Sequence, residues 1–173
     1  MSLGQPFNFK TWIDDHRHLL KPPVGNQVVW EDAEFIIMVV GGPNNRDDFH
    51  INQSEEFFYQ LEGNVTLRVV ENGKFKNFPL NEGEIFLLPP KVPHSPQRPA
   101  NTVGLVVERK RREGELDGFR WYCDDCASVL WEKFVPMTHI VTQLPQIFQE
   151  FYSNSSYTTC KKCGTKKEKR RPI

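Results

Sequence analysis

The stretch Glu56–Pro79 reads EFFYQLEGNVTLRVVENGKFKNFP. It holds three short runs rich in aromatic and β-branched residues: Glu56–Gln60, Val65–Val70 and Lys74–Pro79. Glu62-Gly63-Asn64 breaks the first run from the second, and Asn72-Gly73 the second from the third. Asn-Gly is a strong hairpin signal, because both central residues of a two-residue turn must tolerate positive φ. The same texture extends outward to Gln27–Trp30, Phe35–Val40, Glu84–Leu88 and Val103–Glu108. Gly41-Gly42-Pro43-Asn44-Asn45 and Asn81-Glu82-Gly83 supply further breaks. Short strands at this spacing predict a mainly β fold, an antiparallel sandwich or barrel. A jelly-roll β-barrel fits best, and such a barrel can hold a small ligand or a metal in its mouth.

Both ends of the chain read differently. Asn8 is placed to cap a short helix over Phe9–Leu19, closed by Lys21-Pro22-Pro23. The charged, Gly-containing segment Arg109–Asp117 reads as a linker. This divides the chain into a β domain, 1–115, and a C-terminal arm, 116–173, with a helix near Gln143–Tyr152. The 173 residues include 13 Phe, enough for a substantial core, and no internal repeat is visible. Lys+Arg and Asp+Glu both number 22, so the charge gives no reason to expect nucleic acid or an anionic membrane as partner. The basic tail Lys166–Arg171 reads as solvated and mobile. No apolar run approaches the roughly 20 residues that cross a bilayer, and the N-terminus lacks a signal segment. A cytoplasmic location is the default expectation, and there cysteines read as metal ligands more readily than as disulfides.

His50 precedes the pair Glu55-Glu56, and His94 follows the strand end Leu87-Leu88-Pro89-Pro90. Singly, each histidine has the bland reading of a structural or surface residue. Together, two imidazoles and one carboxylate with positions left open are the ligand set of non-haem Fe(II) oxygenases. Only one of the two glutamates can share the interior, since strand neighbours point to opposite faces.

The spacing His50-x-Asn52-x3-Glu56-x6-Gly63 and Gly83-x5-Pro89-x-Lys91-x2-His94 resembles the two motifs of the cupins. Asn52 stands where that family usually has a second histidine, Lys91 where it has glycine, and Arg98 where asparagine is common. The resemblance places Glu56, rather than Glu55, among the ligands. It implies a 2-His-1-carboxylate set of His50, Glu56 and His94. Arg46 and Arg98 lie four residues from the histidines. Two guanidinium groups there suggest a substrate that carries a carboxylate. Glu108, ending an apolar run, could accept a proton or hydrogen bond from a substrate amine or hydroxyl.

A closer resemblance runs from about residue 18 to 163. It rests on Leu20-Lys21-Pro22-Pro23-Val24, Val39-Val40-Gly41-Gly42-Pro43-Asn44, Phe49-His50-Ile51-Asn52, Glu55-Glu56-Phe57-Phe58-Tyr59-Gln60, Leu87-Leu88-Pro89, Val92-Pro93-His94-Ser95-Pro96 and Arg120-Trp121-Tyr122-Cys123. In these residues the chain resembles the 3-hydroxyanthranilate 3,4-dioxygenases in their short form. The resemblance implies Fe(II) on His50, Glu56 and His94. It further implies that Arg46 and Arg98 hold the carboxylate of 3-hydroxyanthranilate, and that Glu108 is the acid/base partner. Ring opening by O2 would give 2-amino-3-carboxymuconate semialdehyde, which cyclises to quinolinate, a precursor of NAD. A homodimer is likewise implied.

All four cysteines fall in two matched pairs, Cys123-x2-Cys126 and Cys160-x2-Cys163. Each pair can present two thiolates to one tetrahedral ion, and spacing alone does not choose between iron and zinc. Gly164 fits the tight turn that such sites need. The family resemblance implies a rubredoxin-like iron, and a clasp pinning the arm is the reading preferred over a redox role. His16 and His18 sit on different faces of the first helix, and His139 has no assigned role. Two rival readings stand: a non-catalytic cupin module with a zinc-ribbon contact for nucleic acid, or a cupin dioxygenase for another aromatic acid.

Overall fold

The computed structural model describes residues 4–21, 25–31, 33–44, 46–138 and 140–169. Pro22, Pro23, Val24, Asn45, His139, Arg170 and Arg171 lie outside the described residues. The first helix, α1, spans Phe9–His16 and tightens into a 3-10 turn over Arg17–Leu19. Asn8 caps it, its side-chain oxygen accepting from the Thr11 N–H at 2.9 Å.

Eleven strands follow among the described residues: β1 Asn26–Val28, β2 Phe35–Gly41, β3 Phe49–Ile51, β4 Glu56–Glu62, β5 Val65–Glu71, β6 Lys74–Leu80, β7 Ile85–Leu88, β8 His94–Gln97, β9 Val103–Arg109, β10 Asp117–Tyr122 and β11 Val129–Val135. The chain ends in α2, Ile140–Ser153, and a single helical turn, α3, Ser155–Thr158. The Asn72-Gly73 turn joins β5 to β6 with both residues at positive φ. Among the described residues no helix is long and apolar enough to cross a membrane.

The expected jelly-roll barrel does not form. One sheet has five strands in the order β1-β2-β9-β4-β7, the other six in the order β11-β10-β3-β8-β5-β6. Neither closes on itself, and no described ladder joins them. Closure needs an unbroken hydrogen-bonded stagger around the circumference. Here β3, β7 and β8 are only three or four residues long, and the chain leaves β7 through Pro89-Pro90, whose rings offer no donor. The product is an open sandwich. Met38, Phe58, Leu88 and Val106 of the five-stranded sheet meet Val65, Leu67, Val69 and Leu80 of the other in a buried core.

Two flanking elements complete the packing. Helix α1 lays Ile13 and Trp12 on the outer face of the five-stranded sheet, over Val39, Val103 and Leu105. Helix α2 covers β10 and β11, where Ile147 and Phe151 pack on Phe119 and Trp121. The Phe151 and Trp121 rings stack at 4.5 Å between centroids. The arm is thus tied into the fold at its first strand, since β10 pairs with β3. Phe151→Ala should destabilise the protein by about 3–5 kcal/mol, as for other buried aromatic deletions. Urea unfolding measures it, and a loss well under 1 kcal/mol would mean that α2 is not packed on the sheet.

Candidate functional site

Strand register assembles the central grouping. His50 on β3 lies directly opposite His94 on β8, and Phe119 on β10 lies on the other side of His50. On the facing sheet, Glu56 of β4 is the partner of Glu108 on β9. Cross-strand partners point to the same face, so both pairs project into the sandwich. Glu56 then reaches both imidazoles, with Oε1 3.3 Å from His50 Nδ1 and Oε2 3.3 Å from His94 Nε2. All three residues are buried, and one ligand atom from each lies within 4.8 Å of the others.

The outward nitrogens fix how the rings point. His50 Nε2–H donates to Asp117 Oδ1 at 2.7 Å, and His94 Nδ1–H donates to the Val92 carbonyl at 3.0 Å. Each imidazole therefore turns its other nitrogen toward Glu56, the nitrogen a metal would take in place of a proton. Burial disfavours charge on His50, but Asp117 and Glu56 outweigh it and push its pKa up to about 9. Burial would also raise the Glu56 carboxyl, yet the two histidines hold it well below the usual carboxylate range.

Three residues without a role in the sequence reading complete this network. Asn52, at the position where cupins carry a second histidine, offers its amide N–H2 to Glu56 Oε1 at 3.1 Å and to Glu108 Oε2. Its carbonyl oxygen is occupied by the N–H and hydroxyl of Ser54. Arg111 lies 2.8 Å from Glu108 Oε1 and grips Asp117 through Nε and Nη2 at 2.8 and 2.5 Å. The segment Arg109–Asp117 is therefore a tied loop, not a free linker. Burial raises the Glu108 pKa, Glu56 adds to the rise, and Arg111 works against it.

The two arginines expected near the site differ in environment. Arg46 is held by Asp48 through paired bonds of 3.0 and 2.5 Å. Arg98 is 4% exposed, and among the described residues no carboxylate pairs with it. Its Nη1 donates to Gln60 Oε1 at 3.3 Å, and burial lowers its pKa to about 10. It fits there because Gly104 lacks a side chain: a Cβ at Gly104 would sit 2.7 Å from Nη1. Gln60 shares the inner face of β4 with Glu56, four residues along and about 13 Å away. Asn44 joins the two arginine segments, its Oδ1 accepting from the Arg98 N–H at 3.1 Å, while Gln97 Nε2 donates to the Arg46 carbonyl at 3.0 Å.

The four cysteines come together beyond the end of β10, the strand that carries Asp117. Their sulfurs lie within 4.8 Å of one another, with Cys123–Cys163 at 3.5 Å and Cys126–Cys160 at 3.6 Å. Both pairs form the same knuckle. The N–H of Ala127 returns to the Cys123 carbonyl at 3.0 Å, and that of Gly164 to the Cys160 carbonyl at 2.9 Å. Ala127 and Gly164 both have positive φ, the alanine at some steric cost. Hydrogen bonds with Ser128 pull the Cys126 thiol down to about 6, whereas burial pushes Cys123 up to about 12. Contrary to the solvated-tail reading, Lys167 is buried and pairs with Asp124 between the first two thiols at 2.7 Å.

Two imidazoles and a carboxylate converging inside a β-sandwich are the grouping used by non-haem iron oxygenases. The sequence profile of the family described as "3-hydroxyanthranilic acid dioxygenase" matches residues 1–152, and the chain belongs to that family. A 3-hydroxyanthranilate 3,4-dioxygenase of Paraburkholderia phytofirmans is 53% identical over 165 residues, covering 95% of each chain. One from Jannaschia sp. is 53% identical over 159 residues, 91% of this chain and 88% of that protein.

Arg111→Met would leave Glu108 buried without its cation and Asp117 with His50 alone. We expect a loss of about 3–5 kcal/mol at pH 7. A carboxyl whose folded pKa is raised costs stability at neutral pH and returns it as pH falls through that pKa. The deficit should therefore shrink at pH 5 in urea unfolding. An equal deficit at both values would contradict the network.

Proposed function

We propose that this chain is an Fe(II)-dependent dioxygenase that opens the ring of 3-hydroxyanthranilate with O2, giving 2-amino-3-carboxymuconate semialdehyde. The observation that carries the reading is the inward grouping of His50, Glu56 and His94 with Glu108 beside it. Glu56 and Glu108 are buried carboxylates directly opposite one another, an arrangement that favours a cation between the sheets. The donor set of two neutral imidazole nitrogens and one carboxylate oxygen suits Fe(II). Bound there, Fe(II) would bring substrate and O2 together and pass electrons from the aromatic ring to O2, with no net change in its own oxidation state.

The remaining work falls to side chains. Arg98, buried without a carboxylate partner among the described residues, binds the substrate carboxylate together with Arg46, which Asp48 holds in one orientation. A guanidinium buried this deeply gains most from an anionic ligand. Glu108 takes the phenolic proton. Its raised pKa moves it toward the range useful for acid/base work. Asn52 and Arg111 keep its two oxygens in place. The apolar core between the sheets excludes water from the reacting ring.

The four thiols hold a second metal, iron of rubredoxin type or zinc, as a clasp on the arm. Residues 1–115 supply the chemistry and 116–173 brace it. Cysteines left unpaired as disulfides suit a reducing, cytoplasmic setting. The chain works as a homodimer. Ile37, Val107, Phe57 and Leu87 form one outward row across the five-stranded sheet, next to Tyr59 and Ile85. Leu87 and Ile85 are 55% and 64% exposed, and an uncovered apolar face of this kind marks an interface. Sedimentation should give twice the chain mass, and Leu87→Lys should shift it toward the monomer; a wild-type monomer would contradict this.

Anaerobic protein loaded with Fe(II) should consume one O2 per 3-hydroxyanthranilate on exposure to air, with a new near-ultraviolet absorbance that decays as the product cyclises. Glu56→Gln should lose iron or turnover by at least two orders of magnitude. Iron-loaded, folded wild type that consumes no O2 would overturn the reading.

A further inference from the structure

Asp47 is a buried carboxylate that belongs to neither metal grouping. It is 5% exposed and lies between Arg46 and Asp48; among the described residues no cation forms a salt bridge with it, though the buried Lys167 ammonium favours its charge through space. Two neutral donors satisfy it instead. The Trp121 indole N–H donates to Oδ1 at 3.1 Å, and the Tyr152 hydroxyl donates to Oδ2. Both donors come from the arm, Trp121 from β10 and Tyr152 from α2. They are held as one rigid unit, because Phe151, the neighbour of Tyr152, stacks on the Trp121 ring.

A buried carboxylate with neutral partners is costlier than an apolar residue of the same size would be. What it contributes is a fixed backbone. Asp47 is drawn to the arm while Asp48, fully buried, faces Arg46 and grips its guanidinium. On the other side, Gln97 holds the Arg46 carbonyl and Asn44 holds the Arg98 N–H. The loop is thereby clamped from two directions.

We propose that Asp47, Tyr152 and Trp121 are positioning residues for the substrate carboxylate, making the C-terminal arm a working part of the substrate site. The proposal rests on the role given to Arg46 above. Without the Tyr152 hydroxyl, Asp47 loses one of its two bonds to the arm, the loop relaxes, and Arg46 no longer stays where the carboxylate meets it. The defect belongs to binding of one substrate group and leaves the ring chemistry alone.

The test uses Tyr152→Phe and, as a second variant of unchanged shape, Asp47→Asn. For 3-hydroxyanthranilate, KM should rise about tenfold with kcat within twofold, the size expected when a partly buried hydrogen bond is lost. Calorimetry under argon then compares anthranilate, which carries the carboxylate, with 2-aminophenol, which does not. Only anthranilate should bind about tenfold more weakly to both variants. Equal weakening of the two ligands would reduce the contact to a general structural one and overturn the proposal, as would unchanged binding of both. The calorimetric comparison reads the clamp even in protein that opens no ring, so failure of the clamp and failure of the proposed reaction are distinguishable.

Discussion

Two carboxylates and two imidazoles are buried between the sheets, and the fold is arranged around satisfying them. Six side chains close a ring: His50 to Glu56, Glu56 to Asn52, Asn52 to Glu108, Glu108 to Arg111, Arg111 to Asp117, and Asp117 back to His50. Each member is oriented by the next, so no one of them can rotate alone. Asn52 shows the logic most clearly. Ser54 occupies its oxygen, so its N–H2 faces inward, where it can donate to carboxylates but offers a metal no lone pair. Glu56 and the two histidines are then the inward groups close enough together to share one ion.

Part of this was legible in the sequence. The turn Asn72-Gly73, the capped helix after Asn8 and most of the longer strands follow from local chemistry, and the structure has them. The resemblance to cupins implied the grouping of His50, Glu56 and His94, the spacing of the cysteine pairs implied the other, and the structure brings both together. What was not legible is non-local. Strands β3 and β8 are too short to announce themselves, so both histidines read as residues at strand edges and not as partners within a sheet. Arg111 and Asp117 read as linker because their charges look solvent-facing until the loop folds back onto Glu108 and His50.

The barrel expectation failed for a related reason. Alternation and turn chemistry specify strands and their faces, but closure depends on whether edge strands meet with matching stagger. Here the edges β1, β7, β11 and β6 stay open, and helix α2 covers the part of the six-stranded sheet that β10 and β11 extend. The same strand, β10, carries Asp117 behind His50, Trp121 on Asp47, and leads directly into Cys123. One strand thus connects the inner network, the arginine loop and the thiol knuckles, which is why the arm cannot be treated as an appendage.

The central claim is that His50, Glu56 and His94 hold the iron and that the substrate lies between it and the two arginines. Diffraction at the iron absorption edge from crystals grown anaerobically with Fe(II) and 3-hydroxyanthranilate tests it most directly. The account predicts an anomalous peak enclosed by those three side chains, with the substrate carboxylate on Arg46 and Arg98 and the ring beside Glu108. An iron peak at the four thiols alone, with the histidines bare and the substrate bound elsewhere, would contradict it.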